Sequence, residues 1–455
     1  MKKWLILILL LALGLRWFKL GAADLNEDEF TTQKAVSYIN YCQESPENCR
    51  QRPASFRSRL IALITNNETK PNLFSEIYLW DFIKDRPSEI HHSRAWPYLH
   101  LAALIQRWLG VSEWLLRLVG ALAGSLIVPV GFIFARYFSG STGTGLIYSL
   151  VLAIAFPLID YSRNARMYAP FITLGLLMVY LWHRLMTQKN QSFWLLPATF
   201  IVSLFSYWVH SLTLLLFIAI YTYSVIVNRR WWGLFTGLLI IYATAGRLTG
   251  EDFFWHQYLD FSWPPHWQYL NWFYLIGLGL LAVKRQYYLL IISAVYLIIV
   301  AFFVSWHYGS AYAIVLWPIM LLPFLTWRRW LAALTVLAVG AILVLKINYL
   351  YFGRDGRGQI RTAYQVIKDN FQPGNKIYAV QLRDYYLQTL PSDTVVIDLQ
   401  KNPYPEFFGS GFVVWEKEKA GHFQPSVLEY IKTNLKHMAG AGLDNFGVEI
   451  YSFGK

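Results

Sequence analysis

Apolar residues fill long stretches of this chain, broken by short polar or basic connections, from the first residues to about position 350. Trp4 to Leu20 forms the first run. Others follow at roughly 114–137, 143–159, 167–186, 193–208, 211–227, 231–248, 268–283, 287–304, 309–326 and 330–347. A helix needs roughly 20 apolar residues to cross the hydrocarbon layer. The pattern therefore predicts a polytopic α-helical membrane protein with about eleven transmembrane helices. Residues 97–110 are apolar too, but short. Arg107 with the Trp96, Tyr98 and Trp108 rings suits a helix lying at the interface.

Past position 350 the pattern changes. Lys376 to Leu382, Thr394 to Leu399, Gly411 to Glu416 and Val448 to Phe453 read as strands. Arg361 to Phe371, Arg383 to Leu390 and Pro425 to Met438 read as helices between them. Alternation of the two predicts a small α/β domain over residues 350–455, after a membrane domain over 1–349. No Gly-rich loop opens any of these helices, which argues against nucleotide binding there.

Composition agrees. Of 455 residues, 56% are hydrophobic and 15% charged, against about 25% charged in soluble domains. Aromatics reach 18%, as suits a chain with much membrane–water interface. The net charge of +13 is not a nucleic-acid footprint, because the basic residues sit in short clusters between apolar runs. If 97–110 does not span, one side of the membrane receives Lys2, Lys3, Arg136, Arg184, Lys189, Arg229, Arg230, Lys284, Arg285, Arg328 and Arg329, with no Asp or Glu. By the positive-inside rule that side is cytoplasmic. The N-terminus then lies on the cytoplasmic side of the plasma (inner) membrane. Residues 21–113, a loop near 249–267 and the C-terminal domain lie outside. Met1 to Ala23 also has the layout of a signal peptide; an uncleaved first helix is the reading adopted, since cleavage would free the following acidic residues from their anchor. Cys42 and Cys49, six residues apart on the oxidising side, are expected to form a disulfide.

The outer side also collects the candidate chemistry. Asp28 and Glu29 follow the first helix directly, within Leu25-Asn26-Glu27-Asp28-Glu29-Phe30. Asp160 and Tyr161 lead into Ser162-Arg163-Asn164-Ala165-Arg166-Met167-Tyr168, between two apolar runs. His91, His92 and His210 fall on the same side, as does His307 with Tyr308. Ionisable groups at a membrane boundary are costly, which makes them functional candidates. Arg pairs bidentately with phosphate and keeps its charge, so an outward Arg cluster suits the phosphate of a lipid whose tail lies in the bilayer. Snorkelling to the interface is the alternative for a single Arg.

At these positions the sequence resembles GT-C glycosyltransferases of the protein O-mannosyltransferase and aminoarabinose-transferase type, glycosyltransferase family 39. Asp28-Glu29 is similar to that family's acidic pair in its first external loop. His92 to His100 resembles a degenerate His-Pro-Pro-Leu-Tyr-Tyr element, and Ser112 to Phe138 its second spanning helix. Tyr161 to Ala169, YSRNARMYA, resembles its Tyr-Ser-Gln-Glu-Ala-Arg-Met-Tyr signature. Tyr207 to His210 resembles its Tyr-Thr-His element, and Ala311-Tyr312 to Pro318 its late Arg-Tyr…Pro helix. The signature Glu is Asn164 here, the late Arg is Ala311, and the double proline is reduced to Pro97.

The resemblance implies a membrane glycosyltransferase with a polyprenyl-phosphate sugar as donor and a lipid, glycan or protein as acceptor. It implies Asp28 as general base with Glu29 beside it, Arg166, Arg163 and Tyr168 at the donor phosphate, and the remaining polar residues around the substrate cavity. No cofactor is required, although Glu29 with His91, His92 or His210 leaves room for a divalent metal, as in some relatives. The alternative is a transporter or flippase of lipid-linked sugars, against which the one-sided clustering of polar groups speaks.

Overall fold

The computed structural model describes residues 2–21, 29, 32–33, 35–37, 39–40, 95–187, 193–210, 212–227, 232–240, 268–303, 313–352, 360–379, 384–387, 390, 394–398, 409–416, 425–443 and 446–454. These divide into two compact units. The first draws on Met1–Trp17, Ala35–Val111 and Leu115–Leu345, and the second on Phe18–Lys34, Ser112–Trp114 and Lys346–Lys455.

The first unit is helical. Its helices are α1 (Lys2–Trp17), α2 (Trp96–Leu109), α3 (Glu113–Ser139, whose first two residues belong to the second unit), α4 (Thr142–Ile154), α5 (Phe156–Arg163), α6 (Tyr168–Thr187), α7 (Leu195–Val209), α8 (Thr213–Ile226), α9 (Gln268–Val283), α10 (Tyr287–Phe303), α11 (Trp317–Trp327) and α12 (Arg329–Phe352, whose residues from Lys346 on belong to the second unit). Residues 232–240 are helical as well. Among the described residues, three helices are long and apolar enough to cross a membrane by themselves: α3, α6 and α12. The pair α4 and α5 makes a fourth if its 54° bend is counted within one span, and several shorter apolar helices accompany them.

Most apolar runs became helices with nearly the expected limits. The run at 143–159 did not stay whole. It breaks at Ala155, which is extended (φ −65°, ψ 112°). Two residues later Pro157 has no N–H to donate, and its ring would collide with the carbonyl of Ala153.

Two kinds of contact hold the bundle together. Polar side chains bond to backbone across helices, as where the Tyr148 hydroxyl donates to the Pro318 carbonyl (2.6 Å) and that of Tyr288 to Val179 (2.8 Å). Lipid tails are as apolar as the helices, so association depends on such bonds and on close packing. Small residues supply the packing. Gly120 and Gly124, one turn apart on α3, let the backbone of residues 162–164 approach closely. A Cβ at Gly120 would sit 3.0 Å from the carbonyl oxygens of both Ser162 and Asn164, and one at Gly124 would overlap the Ser162 hydroxyl.

The second unit contains a five-stranded sheet in the order β2-β1-β3-β5-β4. The strands are β1 (Lys376–Ala379), β2 (Val395–Asp398), β3 (Gly411–Glu416), β4 (Lys436–Leu443) and β5 (Phe446–Phe453). β1 runs parallel to β2 and β3, while β5 is antiparallel to both β3 and β4. Alternate residues face opposite ways. Ile377, Phe412, Val414 and Ile450 pack on Tyr364 and Ile367 of α13 (Ile360–Asn370). On the other face Tyr378, Val413, Trp415 and Tyr451 pack on Ile431 of α14 (Pro425–Asn434). In the same unit Arg361, in the first turn of α13, pairs with Glu113 at 2.5 Å.

One expectation fails here. The helix expected over Pro425 to Met438 stops at Asn434, and Lys436–Leu443 is an edge strand. Its sequence, KHMAGAGL, has neither β-branched residues nor alternation. Pairing with β5 makes it a strand, against its local preference. The segment expected as a helix over Arg383 to Leu390 is described only as a short 3₁₀ turn, Asp384–Leu387.

The α3 contact yields a prediction. Gly124→Ala should lower stability by about 1–3 kcal/mol through overpacking. Gly14→Ala, in α1 where a Cβ meets nothing within 4 Å, should raise it by about 0.5–1 kcal/mol through helix propensity. Thermal unfolding of the two purified variants in detergent checks the opposite signs.

Candidate active site

The arrangement begins with the carbonyls that Pro157 strands. In an unbroken helix the carbonyls of Leu152 and Ala153 would accept from residues 156 and 157. Here Arg16 of α1, fully buried, takes their place: Nη2 donates to Leu152 O (3.2 Å) and Nη1 to Ala153 O (3.0 Å). Nη1 also reaches Ala12 O (3.3 Å), and Nε donates to the Ser162 hydroxyl (3.3 Å). The Ser162 hydroxyl donates in turn to the carbonyl of Leu158.

A second Arg returns the contact. Nη1 of Arg163, the last residue of α5, donates to the carbonyls of Arg16 (3.1 Å) and Leu15 (3.5 Å), which lie in the last turn of α1. Cations favour helix C-termini, where unsatisfied carbonyls concentrate. Each of these two helix ends is therefore capped by an Arg from the other segment.

After Arg163 the chain turns tightly, with the amide of Arg166 donating to Asn164 O at 2.7 Å. The Arg166 side chain is 6% exposed. Tyr168 then opens α6 and lies against Tyr161 (centroids 5.2 Å apart) and His210 (5.6 Å). His210, just past α7, also stacks on Phe171 at 4.6 Å. Its Nδ1 accepts the Leu212 amide at 3.1 Å. An accepting Nδ1 carries no proton, so the neutral ring is protonated on Nε2. The Thr173 hydroxyl donates to Ala123 O on α3 (2.9 Å), tying α6 to the glycine-bearing helix.

Of the expected site residues, Tyr161, Arg163, Arg166, Tyr168 and His210 belong to this one neighbourhood, and Asp160 is half-buried in α5. Arg163 holds α1 with one of its nitrogens, a structural duty beyond its expected place at a phosphate. Glu29 is a buried helical residue of the second unit. Asp28, His91, His92, His307, Tyr312, Cys42 and Cys49 lie outside the described residues. No group of three or more His, Cys, Asp or Glu side chains that could hold a metal occurs among the described residues.

Reading the sequence missed Arg16, which was absorbed into an apolar run. The signal was there: a lone Arg inside a spanning helix faces protein and needs partners. Pro157, fifteen residues into the next-but-one run, was the second clue.

Comparison with known proteins places this arrangement in a fold. Two crystal structures of ArnT from Cupriavidus metallidurans superpose over 99% of this chain and 98% of theirs, both at 11% identity. The TM-score is 0.57 for ArnT bound to undecaprenyl phosphate and 0.58 for the apo state. The chain has the GT-C glycosyltransferase fold, that of a multi-pass membrane protein. An uncharacterized protein of Aquifex aeolicus is 36% identical over 87 residues, 19% of this chain and 17% of that protein's length. No protein-family model matches the sequence.

The histidine geometry can be tested. His210→Phe keeps the ring stack but leaves the Leu212 amide without its acceptor in a buried turn, and should cost about 1–3 kcal/mol. Thermal unfolding measures the loss. In ¹⁵N-histidine spectra of the wild type, the ring should show the Nε2-protonated form.

Proposed function

We propose that this protein is an integral-membrane inverting glycosyltransferase, moving a sugar from a polyprenyl-phosphate donor to an acceptor hydroxyl outside the plasma (inner) membrane. The observation that carries this reading is the GT-C fold over 99% of the chain with a buried Arg turn just after its broken span. One of the superposed ArnT structures holds undecaprenyl phosphate, and a lipid of that class is the donor carrier proposed here.

In the proposed reaction Arg166 binds the lipid phosphate, with Tyr168 beside it and Arg163 at the same turn. Asp28 takes the proton of the acceptor hydroxyl as its oxygen attacks the sugar's anomeric carbon. The new C–O bond forms on the face opposite the leaving group, the bond from the anomeric carbon to phosphate oxygen breaks, and the polyprenyl phosphate departs with the electron pair. Negative charge grows on that phosphate in the transition state, so a fixed guanidinium stabilises it more than the ground state. Glu29 orients the acceptor or keeps Asp28 ionised. The acceptor is a lipid, glycan or protein hydroxyl, and Glu29 with one of the histidines is the proposed place for a divalent metal if the reaction proves sensitive to chelators.

The test supplies the full chain in proteoliposomes with radiolabelled polyprenyl-phosphate sugars and a panel of acceptors. Asp28→Asn should lower kcat by about 10²–10⁴-fold, the usual worth of a general base, with donor binding unchanged. Arg166→Ala should weaken donor binding by roughly 10- to 100-fold, as loss of a hydrogen bond to a charged group predicts. Undiminished transfer by Asp28→Asn would exclude the base. Movement of intact lipid-linked sugar across the bilayer without transfer would favour a flippase instead.

A further inference from the structure

Arg16 is an expensive residue to keep. A guanidinium with no exposure, inside an apolar helix, loses its hydration and must be compensated by the groups around it. Its partners among the described residues are three carbonyls and one hydroxyl, with no carboxylate. Two of those carbonyls need a donor only because Pro157 interrupts the span. An unbroken helix with an apolar residue at 16 would satisfy the same backbone without burying any charge. What the pair of Arg16 and Pro157 adds is the 54° bend between α4 and α5, and with it the direction in which Ser162 to Arg166 leaves the span.

The contacts around Arg16 all converge on that exit. Its Nε fixes Ser162, four residues before Arg166. Gly120 and Gly124 admit the Ser162 side chain and the carbonyls of Ser162 and Asn164 against α3. Arg163, one residue after Ser162, binds back to the carbonyl of Arg16 itself. The turn that carries Arg166 is thus pinned on three sides, and Arg16 takes part in two of the three.

We infer that Arg16 is a positioning residue for the donor site: it holds the α4–α5 break in its bent form, and so aims the Ser162–Arg166 turn at the lipid phosphate. Arg16 touches no substrate, and acts only through backbone carbonyls and Ser162. The inference rests on the proposed role of Arg166 for its functional half. Its structural half stands independently.

The experiment uses the full chain in nanodiscs, with Arg16→Met, Arg16→Lys and the double variant Arg16→Met/Pro157→Ala. Three quantities are read: amide hydrogen exchange over residues 160–168 without ligand, the thermal midpoint, and the Kd for undecaprenyl phosphate. Arg16→Met should speed exchange of that segment and weaken lipid binding by roughly 10- to 100-fold, the scale of losing a hydrogen bond to a charged group. Arg16→Lys, with one donor group for several carbonyls, should fall between Met and wild type. In the double variant the Pro157→Ala change restores the missing N–H, so the midpoint should return towards wild type while lipid binding stays weak, because the bend is gone. That split separates positioning from folding. Wild-type lipid binding by the double variant would overturn the inference, since Arg16 would then serve folding alone. Unchanged exchange over 160–168 in Arg16→Met would overturn it as well, and that result is readable even if the wild type binds no lipid, an outcome that would count against the donor assignment itself.

Discussion

Inside a bilayer no water is at hand to satisfy a backbone carbonyl, and this constraint governs the first unit. Continuous helices meet it internally. The break at Ala155 cannot, because Pro157 removes a donor and the bend frees the carbonyls of Leu152 and Ala153. An Arg from the first helix repairs the break, and an Arg from the broken segment caps the first helix in exchange. The reciprocal caps place side by side two sequence segments whose bonded residues are up to 148 positions apart. Close packing by the α3 glycines then depends on Ser162 staying where Arg16 holds it.

Much of the architecture could be read from one-dimensional pattern. Apolar runs set α3, α6, α9, α10 and α12 to within a few residues, because in a membrane protein length and hydropathy are the dominant constraints. The strands β1, β2, β3 and β5 were legible from β-branched and aromatic alternation. β4 was not, because Gly440 and Gly442 give no strand signal and only its partner β5 makes it one. The broken span was hidden for a related reason: hydropathy averaged over a window passes across Pro157 without noticing it.

The candidate site was half legible. Arg166, Tyr168 and the residues just before them stood out as charge and aromatic side chains between apolar helices. His210 stood out through its motif, although its stack on Phe171 depends on helix packing that no local pattern encodes. Arg16 was lost among leucines. The capping duty of Arg163 was equally invisible, since it depends on a backbone carbonyl 147 residues away. What the sequence could not supply was the reason for two Arg at one turn. The structure gives one of them a backbone duty: Nη1 of Arg163 donates to the carbonyls of Leu15 and Arg16 at the end of α1.

A fold does not by itself fix donor or acceptor, so the proposed function joins the GT-C fold to the buried Arg turn after its broken span. The most direct measurement is a cryo-electron microscopy structure of the full chain in nanodiscs with undecaprenyl phosphate. The phosphate should lie within hydrogen-bond reach of the Arg166 guanidinium, at the turn that Arg16 holds through Ser162. A phosphate bound elsewhere, with Arg166 turned away from it, would contradict that claim.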